Sequence, residues 1–191
     1  GTEKNHTNSM AALMKIKAFY PLSKEDNFKK FLKSSFAEIH SKNTERLIID
    51  LRNNEGGNDR WGALLFAHLP DQPFKYYETL KLPNRNLSFS EYAQMPKFYG
   101  LLKLLIRKDN DGGYKWPVHK NLKIQKPSRN PFMGEVLVLV NGFSFSVTSE
   151  FAAVAKSTGR AVLVGQETGG TYSGNNSGTF AIVTLPSSRL V

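Results

Sequence analysis

One stretch limits the possible folds of this chain more than any other. Glu135-Val136-Leu137-Val138-Leu139-Val140 is a nearly unbroken apolar run, too rich in valine for a helix and too short for a membrane span. It reads as a strand buried on both faces. Asn141-Gly142-Phe143-Ser144-Phe145 gives a short loop, Ser146 to Ser157 has helical composition, and Ala161 to Val164 is a second strand. Strand, helix and strand in that order call for a right-handed crossover and a parallel sheet. Leu47-Ile48-Ile49, within Arg46 to Arg52, repeats the buried-strand pattern upstream. The expected fold class is therefore α/β.

The rest of the chain is placed around this frame. Leu13 to Tyr20 alternates apolar and basic residues, as a half-buried strand does, and Pro21 ends it. Ser23-Lys24-Glu25-Asp26 offers a capping box for a helix whose apolar stripe is Phe28, Phe31, Leu32, Phe36 and Ile39. Gly62 to Leu69 suggests a short helix, and Phe74 to Leu82 a strand. Tyr92 to Lys108 suggests a second long helix that starts or kinks at Pro96. Residues 109–131, with Asp111-Gly112-Gly113 and three prolines, read as an irregular surface connection, and Phe180 to Leu185 as a last strand. At 191 residues and 40% hydrophobic, the chain has the size and composition of one domain, residues 1–191. It starts Gly1-Thr2 without Met or a signal segment and ends on Leu190-Val191, so it is read as part of a larger protein.

Charge and cysteine content narrow the function classes. No cysteine is present, which excludes a disulfide scaffold, a thiolate metal site and a cysteine nucleophile. The net charge of +10 raises the question of nucleic acid. Residues 97–129 hold nine basic residues against two acidic ones, beside Tyr114 and Trp116. Such a patch could track a phosphate backbone, but a solvated face is the plainer reading. No RNA-binding signature or helix-turn-helix spacing accompanies it, so no nucleic acid is expected.

Three segments carry groups suited to chemistry. In Asp50-Leu51-Arg52-Asn53-Asn54-Glu55-Gly56-Gly57-Asn58 a buried strand runs into a glycine turn at its carboxyl end, where parallel sheets bind ligands. Adjacent glycines can turn their amides toward a developing oxyanion, although a tight turn with an Asp50–Arg52 ion pair is the simpler account. The second segment, Asn141 to Glu150 (NGFSFSVTSE), puts serines where a buried strand meets a helix N-terminus. Ser144 or Ser146 could cap the helix or act as a nucleophile, and the two roles are compatible. The third, Gly165-Gln166-Glu167-Thr168-Gly169-Gly170 and on through Asn176, is a polar turn between strands. His6, His40, His68 and His119 are not paired at metal spacing, so no metal and no cofactor are expected.

Taken together, DLRNNEGG, VLVLVNGFSFSVTSEF and GRAVLVGQETGG resemble the C-terminal-processing (tail-specific) serine protease family, which includes the tricorn core protease. The resemblance covers about residues 12–185. It implies an α/β core of the ClpP/crotonase type, with parallel strands and crossover helices, and a peptide or protein substrate. It matches Ser146 to the nucleophile, with Gly159-Arg160 and Gly165 at the family's offsets from it. It matches the backbone amides of Val147 and of Gly56 or Gly57 to the oxyanion hole. It sets Thr168, Gly169, Gly170, Thr171, Tyr172 and Asn175 along the substrate groove, and it implies an extracytoplasmic location.

The chain departs from one branch of that family. Thr171 stands where lysine-dependent members have their general base, and Asn175 where they have a supporting glutamine. The resemblance then points to the tricorn-like branch, whose base is an upstream histidine aided by a second serine and a downstream glutamate. Neither that histidine, that glutamate nor a peptide-binding PDZ module is matched within these residues, so the chain alone is expected to be inactive. A non-catalytic binding module on the same fold is the alternative.

Overall fold

The computed structural model describes residues 10–86, 90–94, 99–175 and 182–190. The chain divides into two compact units. The first unit, residues 1–74 and 125–175, contains every motif singled out above. Its core is a four-stranded sheet of β1 (Ala11–Lys15), β2 (Arg46–Asp50), β3 (Glu135–Val140) and β4 (Val162–Gly165). The strands lie in the order β1-β2-β3-β4, and all three pairings are parallel. Helices α1 (Phe28–Ser41), α2 (Asp59–Phe66) and α3 (Val147–Ser157) lie in the connections between them.

The period-two pattern of the strands fixes which face is covered. Met14, Leu47, Ile49, Val136, Val138 and Val140 are all buried, together with Leu32, Phe36, Leu65, Phe66, Phe151 and Ala155 of the helices. Side chains at alternate strand positions share a face, so one face of the sheet forms the main core. The other face is partly open: Leu13 is 67% and Val162 59% exposed. The expectation of burial on both faces therefore holds for only one of them. Phe28 stacks on Trp61 at 4.5 Å and meets Phe19 edge-on at 6.0 Å, joining α1 to α2 and to the segment after β1.

Several boundaries differ from the sequence reading. The cap of α1 is Asn27, whose side chain accepts from the Lys30 amide at 2.9 Å. The Asp26 carboxylate instead closes a turn on the amides of Leu22 and Ser23, so the box at Ser23 starts no helix. In the α1 stripe Phe28, Leu32, Phe36 and Ile39 are buried, whereas Phe31 is 39% exposed. Helix α2 starts three residues earlier than expected, capped by Asn58.

The second unit comprises residues 75–124 and 176–191. In it Tyr114–Lys115 pairs antiparallel with both Lys81–Leu82 and Arg107–Lys108, and Ala93–Gln94 pairs with Ile182–Val183. The long helix expected over 92–108 is reduced to Tyr99–Leu102 and a 3-10 turn at Lys103–Leu105. Leu101 and Leu104 remain exposed, and an amphipathic stripe stabilises a helix only when something covers it. The strand expected over 74–82 is likewise interrupted, and short pairings replace the irregular stretch at 114–115 and 124–125. His6, Pro96 and Phe180 lie outside the described residues.

Candidate active site

The carboxyl ends of β2 and β3 bring two of the three motifs into contact. Beyond Asp50 the chain continues beside β3: the Leu51 amide donates to Leu139 O at 2.9 Å, and the Phe145 amide donates to Asn54 O at 3.0 Å. On the opposite side Phe19 pairs with Gly57; the Phe19 amide donates to Gly56 O at 2.9 Å and the Asn58 amide to Phe19 O at 2.7 Å. The Gly56–Gly57 turn is thus held between the end of β1 and the Ser146 segment. It also includes the ion pair of the simpler account. Arg52 Nε and Nη2 each donate to the buried Asp50 carboxylate at 2.9 Å, and this bond holds its pKa below the ordinary range.

Ser144 and Ser146 have different surroundings. Ser144 is fully buried; its Oγ donates to Leu51 O at 2.8 Å and accepts from the Asn141 amide at 3.0 Å. Its hydroxyl is committed to holding the β3–α3 loop. Ser146 precedes α3 with φ 53° and ψ −124°, and its side chain does not cap the helix. Among the described residues its Oγ has no hydrogen-bond partner, and the side chain is half-exposed. A left-handed serine at a strand-to-helix turn carries backbone strain, and it lifts its hydroxyl clear of the helix.

The glycines fit around this serine. A Cβ on Gly56 (φ 100°) would lie 2.8 Å from Ser146 Cβ and 2.8 Å from the Val147 nitrogen, so only glycine fits there. The Gly56 amide donates to Asn54 Oδ1 at 2.9 Å and is therefore occupied. Gly57 differs. The Gly56–Gly57 peptide is trans, so its N–H points opposite to the Gly56 carbonyl, which faces Phe19. That direction leads away from Phe19. The Val147 amide opens α3, where helix N–H groups have no intrahelical acceptor. Neither the Gly57 nor the Val147 amide has a partner among the described residues.

The third motif lies against the same helix. The Gly169 amide donates to Ser144 O at 3.1 Å, and a Cβ on Gly170 would lie 2.5 Å from Ser149 Oγ and 3.9 Å from the Ser146 nitrogen. Thr168 Oγ1 donates to Gly170 O at 3.3 Å. Thr171 is exposed, and its Oγ1 donates to Gly174 O. Tyr172 lies near Lys156, and Asn175 Nδ2 donates to Glu150 Oε1 at 2.6 Å. Glu150, four residues after Ser146, was not singled out from the sequence; the helical i,i+4 spacing was the available signal.

The described histidines have other contacts. His40 Nε2 bonds Asn130 O at 3.0 Å, His68 stacks on Phe36, and His119 Nδ1 accepts from the Asn121 amide. None of these bonds involves Ser146. Among the described residues no group of three histidine or acidic side chains is arranged to hold a metal. No helix among them is long and apolar enough to cross a membrane.

Comparisons with known proteins agree with this fold. Mature CPAF complexed with lactacystin is 22% identical, with a TM-score of 0.58 over 83% of this chain and 38% of that one. A putative peptidase from Parabacteroides merdae ATCC 43184 is 20% identical, with a TM-score of 0.55 over 89% of this chain and 44% of that one. A lipoprotein from Streptococcus agalactiae is 20% identical, with a TM-score of 0.50 over 87% of this chain and 50% of that one. The chain thus spans half or less of each of these structures. No curated protein sequence matches it. The model of peptidase family S41 matches residues 10–184, and on that match the chain belongs to this family of C-terminal-processing serine peptidases.

Proposed function

We propose that Ser146 is the nucleophile of a serine peptidase, and that the chain is the nucleophile-bearing part of a larger catalytic core. Family membership gives a serine-type peptidase with peptide or protein substrates. The observation that carries the finer reading is Ser146 itself: a strained left-handed serine, its hydroxyl unbonded among the described residues, packed against Gly56. In this reading Ser146 Oγ attacks a peptide carbonyl while its proton passes to a general base. The tetrahedral oxyanion rests between the amides of Val147 and the Gly56–Gly57 turn, where Gly57 has the unengaged N–H. Each such donor contributes about 3 kcal/mol to the transition state. The C–N bond breaks, the amine leaves with the proton, and water hydrolyses the Ser146 ester.

The base is a histidine supplied from outside the described residues. Thr171 cannot act as a lysine, and the described histidines bond elsewhere. The 191 residues alone are then slower than the whole protein by several orders of magnitude. Thr168 to Asn175 border the groove for an extended substrate. We also place the whole protein outside the cytoplasm, on the family resemblance; cell fractionation checks it. Thr171 equally favours a second reading, a non-catalytic binding module on the same fold. Hydrolysis of a fluorogenic peptide mixture by the whole protein separates the two. Cleavage reduced at least about 10³-fold by Ser146→Ala supports the peptidase, and no difference between wild type and variant sinks it.

A further inference from the structure

Beside Ser146, a cavity of about 310 Å³ lies between α3 and the segment following β4. Small-molecule sites span about 300–1,000 Å³, so this one has room for an amino-acid side chain. Its wall nearest Ser146 is formed by Ser149 and Gly170; a Cβ on Gly170 would lie 3.9 Å from the Ser146 nitrogen, so this wall adjoins the serine. Val140, Ala152, Ala153 and Leu163 supply an apolar lining that suits the methylene body of a side chain.

The exposed rim has a different character. Lys156, in the last turn of α3, places its ammonium 5.6 Å from the centre of the Tyr172 ring. It forms no ion pair among the described residues. Glu167 also lines the cavity, so the local charge balance depends on how each side chain is held. Lys156 is rooted in a helix and held over an aromatic face, a contact that fixes a cation. Glu167 follows β4 in an exposed turn and has no ion pair among the described residues, which leaves it able to extend into water.

We propose that this cavity receives a substrate side chain beside the scissile bond, and that Lys156 makes it select a carboxylate. The carboxylate comes from a glutamate or aspartate side chain or from the peptide's own C-terminus. This assignment rests on the reading of Ser146 as nucleophile, because only then does a pocket here flank a reacting bond.

Binding tests the assignment without requiring turnover. Fluorescent hexapeptides of Ala and Gly, with Glu, Gln or Lys substituted at each position in turn, are titrated against the chain by anisotropy. Each peptide is made with a free and with an amidated C-terminus. At one position the Glu peptide binds about fivefold more tightly than the Gln peptide, the gain of one partly exposed ion pair, and the Lys peptide binds more weakly still. Lys156→Gln brings the Glu-to-Gln ratio to about one, and Glu167→Gln increases it. A Glu-over-Gln preference that persists in the amidated peptides assigns the carboxylate to the side chain; free-acid peptides that all bind more tightly than their amidated forms, with Glu equal to Gln, assign it to the C-terminus. Equal affinities across all the peptides, a preference of either kind that survives Lys156→Gln, or no binding of any peptide overturns the assignment. Fluorophosphonate labelling of Ser146 in the whole protein does not need the cavity. Labelling without a peptide preference rejects the cavity alone, and a preference without labelling rejects the nucleophile alone.

Discussion

At φ 53° and ψ −124°, Ser146 adopts a backbone conformation that glycine takes at no steric cost and serine does not. The strain has a direct consequence for stability. Ser146→Gly should unfold about 1 kcal/mol later than Ser146→Ala in denaturant titrations, and both should lack peptidase activity. If the alanine variant is the more stable of the two, the strain account is wrong. Ser144, two residues earlier, belongs to a different class: its buried hydroxyl bonds Leu51 O and the Asn141 amide. The residue types alone leave both serines open, and the family resemblance points to Ser146. In the structure a long-range bond, Ser144 Oγ to Leu51 O, separates them, and no local pattern encodes it.

At the scale of elements, α3 is held at both ends. Its far end is secured by Arg160, whose Nε donates to Leu69 O at 2.6 Å and whose Nη2 donates to Gly134 O at 3.0 Å and to Phe132 O. One guanidinium thus joins the end of α3 to the entry of β3. Arg160→Ala should lower stability by about 2–3 kcal/mol, read from urea unfolding, because three carbonyls lose a charged donor together. Arg160→Lys should recover little of it, since a lysine lacks the planar fork. A second device is the His68 ring, stacked on Phe36 at 4.3 Å with its buried Nδ1 unbonded among the described residues. Burial, then the neighbouring His40, lowers the His68 pKa. The unfolded chain therefore takes up a proton that the folded chain refuses. This part of the stability is complete above the ordinary imidazole value, near 6.5, and is lost as pH falls below it. Thermal unfolding between pH 8 and 5 should show the loss, and His68→Phe should flatten it. A variant with an unchanged slope would refute the assignment.

Pattern reading locates best the elements whose apolar residues reach the core: β2, β3 and α3 match to within two residues, and Leu47, Ile49, Val136, Val138, Val140, Val147 and Phe151 are buried. β4 matches to within one residue although Val162 and Val164 are 59% and 43% exposed, because its valine-rich run follows a helix. Residues 92–108 misled because Leu101 and Leu104 have helical spacing but no cover. The start of α1 differs because Ser23 and Asn27 both suit a cap: the Asp26 carboxylate closes a turn on the Leu22 and Ser23 amides, and the helix begins only after Asn27. In the candidate site, motif spacing points to Ser146 and the glycine turn, and the structure brings these segments together. The occupied Gly56 amide was not, because it depends on the side chain of Asn54.

For the whole molecule, the charge and the length now have more definite meanings. The +10 excess lies mainly in residues 97–129, divided between the two units, and the motif-bearing segments are close to neutral. The two surfaces need not share a role. The match to family S41 runs through both units, from residue 10 to 184, while the chain covers half or less of each compared structure. In the proposed reading this chain supplies the nucleophile and the oxyanion amides, and the base comes from outside the described residues. The most direct measurement is peptide mapping by mass spectrometry after a fluorophosphonate reacts with the whole protein. The account predicts one adduct, on Ser146, abolished by Ser146→Ala. An adduct on Ser144 or Ser149, or one that persists in Ser146→Ala, would contradict it.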